Sequence, residues 1–213
     1  MSWLLDAVPQ GERAPVAAAL TSCSVLSLSG GSSLGPDRLD AVSLLSIEDG
    51  VVLVSASNRD SARRIVVSVA GPGSIVLPPA PHETLEALAD SRLTAIPAAV
   101  QRRLLELSGA AAALVDGIEV ALRECRDSLR QFGSSSHADR VRQKLVQLAR
   151  SHGKVGTDGL LLDLPLTHEL LAEMVGSTRE TVTRALALLA HEGLVTHEPG
   201  RYRVVVPASE YSS

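Results

Sequence analysis

Residues 166–195 read LTHELLAEMVGSTRETVTRALALLAHEGLV, and they carry the clearest structural pattern in the chain. Thr167 can cap a first helix whose apolar positions fall at helical spacing, namely Leu170, Leu171, Met174 and Val175. Gly176 supplies a turn. Ser177 is then expected to start a second helix, with Glu180 three residues later in capping-box register. The stretch therefore predicts two short amphipathic helices joined by a glycine turn.

The second helix has an apolar face and a polar face. The residues expected to point inward are Val182, Leu186, Leu189 and Ala190, and Gly193 closes the helix. The opposite face carries Arg179, Glu180, Thr183 and Arg184. This arrangement is typical of a helix-turn-helix, whose second helix enters the major groove of DNA. Arginine reads guanine and a carboxylate accepts from cytosine, so the polar face can read base edges. Capping alone explains Glu180 but not the two arginines.

The segment GSTRETVTRALALLAHEGLV resembles the helix-turn-helix of the CRP/FNR regulator family. Cyclic-AMP-type members of that family carry an S-R-E-T-V-x-R core, and residues 178–184 repeat it with Thr178 in place of the serine. The resemblance implies that Arg179, Glu180 and Arg184 read bases. It is strong over residues 136–206 and only architectural before them.

Further polar residues are expected to contact the DNA backbone, which positions a protein without reading sequence. They are Thr167, His168, Ser177, Thr178, Thr181, Thr183 and Arg201. Arg201 belongs to the segment VTHEPGRYRVVV, which predicts a two-stranded wing with Pro199-Gly200 at its tip. Arg201 and Arg203 fall on one side of the second strand, where they can touch phosphate. The carboxy-terminal region is therefore predicted to be a winged helix.

Composition places few limits on the partner. The 213 residues carry a net charge of −4, which does not by itself suggest a DNA-binding protein. A local basic face is what such a protein needs, rather than a basic whole. The chain has no apolar run long enough to cross a bilayer and no amino-terminal signal, which predicts a cytoplasmic protein without a membrane partner. Cys23 and Cys125 are too few for a disulfide framework or a cysteine metal cluster.

The amino-terminal part is predicted to be rich in strands. After an interrupted helical entry up to about Ser22, short β-type runs occupy residues 23–29, 41–47, 51–57 and 64–70. Asp49-Gly50 between two of these runs is a hairpin signal. Residues 85–96 can complete the set after the proline-rich segment 78–81. Many short strands predict a small sandwich or β-roll.

From Pro97 onward the pattern becomes helical. A heptad seam runs through Ala111, Leu114, Ile118, Ala121, Cys125, Ser128 and Phe132, with charged residues outside it. The seam predicts that this helix pairs with a second copy, and the resemblance implies the same. Residues 133–136 are expected to form a hinge, and Ser136 can cap the next helix through Asp139. Residues 153–159 are expected to form a loop before a strand at residues 160–164.

The predicted fold class is α+β, in three parts: a β-roll at residues 1–96, a dimerisation helix and hinge at 97–135, and a winged helix-turn-helix at 136–213. In the CRP/FNR family the roll is a cyclic-nucleotide-binding-like sensor domain. Relatives that bind cyclic nucleotides carry Gly-Glu followed by Arg-Ser or Arg-Thr. After Gly73 this chain has Glu83 as its only acid before Thr84, and no arginine between Arg64 and Arg92. We therefore expect no cyclic AMP and no cofactor.

Metal and catalytic sites have little support in the sequence. The five carboxy-terminal histidines do not combine metal spacing with a nearby carboxylate or thiolate. An iron–sulfur cluster needs more cysteines than Cys23 supplies, and His82 beside Pro81 is interpreted as a loop histidine rather than a haem ligand. No nucleophile, base or phosphate loop stands in a catalytic context, so we predict that the chain is not an enzyme.

Together these features predict a transcription regulator that binds an inverted-repeat operator as a homodimer, without cyclic AMP. The expected partners are double-stranded DNA, a second copy and RNA polymerase, since promoter output depends on where the operator lies relative to polymerase. One alternative is a regulator that senses a different small molecule through the roll. Another is a sensor or partner-binding protein with a vestigial DNA module. Activation and repression are not distinguished by the sequence.

Overall fold

The computed structural model describes residues 3–57, 64–132, 136–156, 158–198 and 200–205. The chain divides into two compact units, residues 1–126 and 127–213. Among the described residues, no helix is both long enough and apolar enough to span a membrane.

The amino-terminal unit begins with two short helices, α1 (Trp3–Ala7) and α2 (Arg13–Leu20). Eight strands follow: β1 (Ser24–Leu28), β2 (Ser33–Leu34), β3 (Val42–Asp49), β4 (Val52–Ser57), β5 (Arg64–Ala70), β6 (Ile75–Val76), β7 (Glu83–Ala87) and β8 (Ser91–Pro97). The proline-rich segment 78–81 forms no strand, as expected for residues that cannot complete a ladder.

The eight strands form two antiparallel sheets, with the orders β1-β8-β3-β6 and β2-β7-β4-β5. One core cluster draws on both sheets and includes Leu45, Val52, Leu85 and Leu93, each fully buried. A second cluster joins α1 and α2 to the helices that follow the strands. The predicted β-roll is therefore confirmed, and with it the α+β class.

The hairpin predicted at Asp49-Gly50 is wrong. β3 and β4 do not pair with each other, because β3 lies in the first sheet and β4 in the second. Gly50 has a positive φ of 82°, and an added Cβ would collide with the backbone of Asp90 and Ser91. Glycine is required at position 50 because the chain crosses from one sheet to the other close to the backbone of Asp90 and Ser91. It is not required by a two-residue turn.

Two helices follow the strands, α3 (Ala98–Leu105) and α4 (Ser108–Phe132). On α4, Leu114 is 2% exposed and packs in the core of its own unit, so it is not available to a partner helix. This corrects its placement in the dimer seam. Ile118 is 45% exposed, while Ala121 and Cys125 are half-buried. The side chains of Ser128 and Phe132, and the hinge residues 133–135, lie outside the described residues.

Several exposed apolar residues of α4 form a row that overlaps the predicted seam at Ile118, while Val120, also half exposed, lies off the row. Val115, Ile118 and Leu122 are each about half exposed and are spaced three and four residues apart, which places them on one helix face. Cys125 continues this spacing. We call Val115, Ile118, Leu122 and Cys125 the α4 row.

The carboxy-terminal unit contains α5 (His137–His152), β9 (Lys154–Gly156), β10 (Gly159–Leu162), α6 (His168–Val175), α7 (Arg179–His191), β11 (Val195–Glu198) and β12 (Arg201–Val204). Its strands form an antiparallel sheet in the order β11-β12-β10-β9. Ser136 caps α5 by accepting from the Asp139 amide, as predicted. The winged helix-turn-helix is confirmed. The expected loop at residues 153–159 instead includes strand β9.

Candidate DNA-binding site

The turn between α6 and α7 is fixed by backbone geometry. Thr167 caps α6, its hydroxyl accepting from the Leu170 amide at 3.1 Å. Gly176 ends α6 in the left-handed conformation, with φ 62° and ψ 42°. The Ser177 amide then donates to the carbonyl of Ala172, one turn back. These bonds set the direction in which α7 leaves the turn.

The cap of α7 lies one residue later than predicted. Thr178 is the N-cap residue, and its Oγ1 accepts from the Thr181 amide at 3.3 Å. Ser177 therefore does not start the helix. Its hydroxyl lies 3.1 Å from Nδ1 of His137, the first residue of α5. The hydroxyls of Thr178 and Thr181 are 3.0 Å apart, so both are used in holding the helix start.

The buried face of α7 differs in part from the predicted one. Val182 and Leu189 are buried and Leu186 is half-buried, but Ala190 is exposed and Ala185 is buried in its place. The helix therefore turns its apolar stripe slightly toward Ala185. Gly193 follows the helix with a positive φ of 69°, as expected of a closing glycine.

The three residues predicted to read bases are exposed at the start of α7. Arg179, Glu180 and Arg184 all belong to its first two turns. The Glu180 backbone N–H and the Thr178 hydroxyl lower the pKa of the Glu180 carboxyl, and both arginines act in the same direction. Glu180 is therefore held ionised, in the state that accepts a hydrogen bond from a cytosine amino group.

His168 links α6 to α7. Its Nδ1 lies 2.8 Å from Oγ1 of Thr183, and that hydroxyl donates to the carbonyl of Arg179 at 2.9 Å. Because the hydroxyl proton is used on the carbonyl, we assign the Nδ1 proton to the imidazole as donor. Burial lowers the pKa of His168, and so do His197 and Arg179 nearby.

The wing arginines are paired with carboxylates. Nε of Arg201 lies 3.0 Å from Asp163, and an Arg203 guanidinium nitrogen lies 3.3 Å from Asp158. Between them Tyr202 is buried, with its ring centroid 4.7 Å from that of His197. The Arg201 guanidinium can therefore bind a phosphate only if it contacts Asp163 and the phosphate at once, or if its ion pair with Asp163 breaks. Pro199, at the predicted wing tip, lies outside the described residues.

Two features of the site were missed by sequence reasoning. One is His137, which reaches the helix-turn-helix from α5 by a contact between residues 40 positions apart. The other is the pairing of each wing arginine with a carboxylate. No local pattern in the sequence signals either contact. Within the described part of the chain, no group of three or more histidine, cysteine or acidic residues could hold a metal ion.

The roll offers an anion little at the place where related sensors hold one. β6 is only two residues long, and the Glu83 carboxylate accepts from the Ala80 amide at 2.9 Å. Arg64 pairs with Glu86 at 2.6 Å. The space between the sheets is filled by the apolar cluster described above.

Residues 139–209 match the Crp-like helix-turn-helix domain family. The global nitrogen regulator of Synechococcus elongatus is 29% identical over 110 residues, which cover 52% of this chain and 50% of the relative. A CRP-like cAMP-activated global transcriptional regulator of Mycobacterium tuberculosis is 36% identical over 77 residues, covering 36% and 34%. The chain thus spans half or less of the length of these relatives. The first is named as a regulator and the second as a transcriptional regulator.

The fold similarity extends over most of the chain. A mutant of CooA from Carboxydothermus hydrogenoformans superposes with a TM-score of 0.75 at 18% identity, covering 92% of this chain and 90% of that protein. At this identity the match shows a shared fold. The match of residues 139–209 to the Crp-like helix-turn-helix family, rather than this fold similarity, confirms the resemblance that residues 178–184 carry.

Proposed function

We propose that the chain is a sequence-specific transcription regulator of the CRP/FNR family, supported by its Crp-like helix-turn-helix match over residues 139–209 and by its fold. It binds double-stranded DNA as a homodimer, and it does so without cyclic AMP. Each protomer places α7 in one of two successive major grooves of an inverted repeat. Such a role places the protein in the cytoplasm, where RNA polymerase reads the promoter that contains the operator.

The observation that carries this proposal is the exposed set Arg179, Glu180 and Arg184 on a helix whose start is fixed by hydrogen bonds. Their backbone is held by the Thr178 cap and by the Thr183 hydroxyl, and their side chains are exposed to solvent, where they can face a groove. Guanidinium groups suit guanine, and an ionised carboxylate suits the cytosine amino group. A vestigial DNA module has no need to keep this set.

Several neighbouring groups are suited to the DNA backbone. The described polar groups near the two helix starts include Thr167, His168, Ser177, Thr178, Thr181 and Thr183. The hydroxyls of Thr167 and Thr178 already cap helices, so phosphate oxygens meet the adjoining amides and side chains rather than replace the caps. Arg201 adds a cationic side chain on the wing when its guanidinium contacts a phosphate as well as Asp163.

The α4 row is the observation that supports the proposed homodimer. Half-exposed apolar residues at heptad spacing are poorly placed in water, and a second copy of the helix covers them symmetrically. Leu114 serves the protomer's own core instead. Two protomers then present two recognition helices to the two halves of an operator.

The absence of a cyclic-nucleotide response rests on the roll. A bound cyclic phosphate needs a cationic partner when it leaves water. Arg64 is the only arginine in the described strands of the second sheet, and it is paired with Glu86; the proline-rich segment 78–81 after β6 has no cationic residue. A regulator that senses another small molecule is the second candidate, and a cavity described below favours it.

Selection from a random duplex pool, followed by sequencing, tests the DNA-binding proposal. We expect an inverted repeat whose half-sites are similar to TGTGA, enriched without any added nucleotide. The matched control is the Arg179→Ala and Arg184→Ala double variant, which keeps the fold but loses the guanine contacts. Recovery of no palindrome by the unmodified protein would overturn the proposal.

A further inference from the structure

A cavity of about 450 Å³ lies in the amino-terminal unit, between α1, the turn before β6 and α4. Its walls include Trp3, Ile75, Asp116, Gly117, Val120 and Glu124. All of its lining residues belong to the unit of residues 1–126. The volume lies within the range of small-molecule sites.

Close packing and hydrogen bonds position two of the cavity walls. Gly117 brings α4 close to β6, since an added Cβ would lie 2.8 Å from Cδ1 of Ile75. On the other side, the indole N–H of Trp3 donates to the Ser46 hydroxyl at 2.6 Å. Ser46 is buried in β3, and its hydroxyl also bonds the Glu48 carboxylate. With its N–H used in this way, the indole offers the cavity an aromatic surface.

The amino-terminal end of α4, which could otherwise attract an anion, is already occupied. The Glu12 carboxylate accepts from the amides of Gly109 and Ala110 at 2.9–3.1 Å, and from the Ser108 hydroxyl at 3.0 Å. These bonds satisfy the first free N–H groups of the helix and place a negative charge there. The Gly109 and Ala110 amides are therefore not available to bind an anion in the cavity.

The charged side chains in the cavity walls have one sign. Asp116 and Glu124 are both on α4, and none of the described lining residues is lysine, arginine or histidine. The other walls are apolar or small, apart from the Trp3 ring and Ser74. An aromatic face, apolar walls and carboxylates together suit a cation that carries apolar groups.

We propose that this cavity binds a small organic cation, an amine or quaternary ammonium compound with apolar substituents. The aromatic face of Trp3 contacts the cationic head, and Asp116 supplies the opposite charge. The inference deepens the proposed function by naming a class of effector. The cavity shares α4 with the α4 row, so an occupant acts on the helix that is proposed to pair.

Trp3 is the single tryptophan of the chain, so its fluorescence reports on the cavity directly. The unmodified full chain is titrated, without DNA, with benzyltrimethylammonium, with neutral benzyl alcohol and with anionic benzoate. We expect a saturable change for the cation and weaker or no saturation for the other two. Equal binding of all three probes, tighter binding of benzoate, or no response to any of them would overturn the proposal.

Two variants locate the cation. Asp116→Asn is expected to weaken benzyltrimethylammonium binding about two- to fivefold. Glu119→Gln removes the same charge from α4, but Glu119 pairs with Arg123 and does not line the cavity, so it should leave binding unchanged. Ala112→Leu fills part of the cavity and should abolish saturation even if Asp116→Asn folds poorly. Unchanged binding in both Asp116→Asn and Ala112→Leu contradicts the assignment.

These titrations contain no DNA, so their outcome is separate from that of the operator selection. Loss of operator binding with intact probe binding would overturn the proposed regulator function but not the ligand proposed for the cavity. Operator binding without any probe binding would overturn the ligand proposal but not the regulator function. Each proposal therefore fails on its own measurement.

Discussion

Two sites, one in each compact unit, differ in their charged residues. At the start of α7, in the carboxy-terminal unit, exposed Arg179 and Arg184 flank an ionised Glu180 on a helix fixed by threonine hydroxyls. In the amino-terminal unit, the cluster between the sheets is apolar, and the charged side chains that line the cavity beside α4 are two carboxylates. The first site is suited to a polyanion, and the second is not.

This difference shows that a shared fold does not imply a shared ligand. The roll keeps the strand arrangement of a sensor domain, but strand arrangement depends on apolar alternation and turns, whereas anion binding depends on a few cations. The helix-turn-helix keeps both its backbone arrangement and its charged set. The presence of a β-roll therefore does not by itself predict cyclic AMP binding. That prediction depends on the cationic residues in the roll.

The largest effect is expected within the amino-terminal unit, where a charge at Leu114 would be buried. Leu114→Asp should lower the free energy of unfolding by about 3–5 kcal/mol, because the carboxylate replaces a core side chain. Ile118→Asp, one turn away, places the same charge at a half-exposed position and should leave the unit folded while separating the protomers. Urea denaturation and sedimentation velocity measure the two effects. A folded monomer for the unmodified chain, or equal destabilisation by both variants, would contradict the α4 row.

The second prediction concerns the polyanion-binding unit. Arg179→Ala should cost about 1–3 kcal/mol of operator binding and relax preference at one base pair. Arg201→Ala is the control: it should weaken binding to all sequences alike and lower the salt slope by about one. Gel shifts on operators with single base changes distinguish them. Uniform weakening by Arg179→Ala would show that it contacts phosphate instead of a base.

A smaller effect is expected from His168, whose pKa is lowered in the free protein by burial and by the neighbouring His197 and Arg179. A nearby phosphate favours the imidazolium, so DNA binding should take up a proton and the pKa should rise in the complex. The added affinity is present at low pH and is lost as pH rises through the pKa of the complex. We expect about a two- to tenfold gain per pH unit on acidification near pH 6–7, measured by fluorescence anisotropy.

The control for this pH dependence is His168→Gln, which keeps a hydrogen-bond donor for Thr183 but does not titrate. It should flatten the pH dependence of binding. A slope that persists in this variant would assign the proton to another group.

The smallest effect is expected at Glu12. Hydrogen bonds from the Gly109 amide, the Ser108 hydroxyl and the Ala110 amide lower the pKa of its carboxyl. The stability that this gives is present above the pKa of the unfolded chain and is lost as pH falls through the folded value. Glu12→Gln should therefore lower Tm slightly near neutral pH and not in acid. Glu106→Gln, an exposed carboxylate, is the matched control. An equal decrease in Tm at both pH values would contradict the proposal that the ionised Glu12 carboxylate stabilises the start of α4.

Local features of the sequence were predicted best. The Thr167 and Ser136 caps, the Gly176 turn and the strand runs follow from short-range chemistry, and the structure shows them all. The α7 cap was misplaced because Ser177 and Thr178 are both good cap residues, and the choice between them depends on how Ser177 meets His137.

Predictions that depended on tertiary neighbours were less reliable. Asp49-Gly50 has hairpin composition, but the fold sends β3 and β4 to different sheets. Leu114 fits a heptad, yet the amino-terminal helices cover that face of α4. The cavity beside α4 joins residues more than 110 positions apart, so no local pattern could indicate it.

Calorimetry with cyclic AMP and cyclic GMP, run in parallel with titration of the selected operator, decides whether DNA binding depends on a cyclic nucleotide. We expect no saturable heat for either nucleotide, and the same operator affinity with and without them. Micromolar binding of cyclic AMP that also tightens operator binding would contradict this expectation.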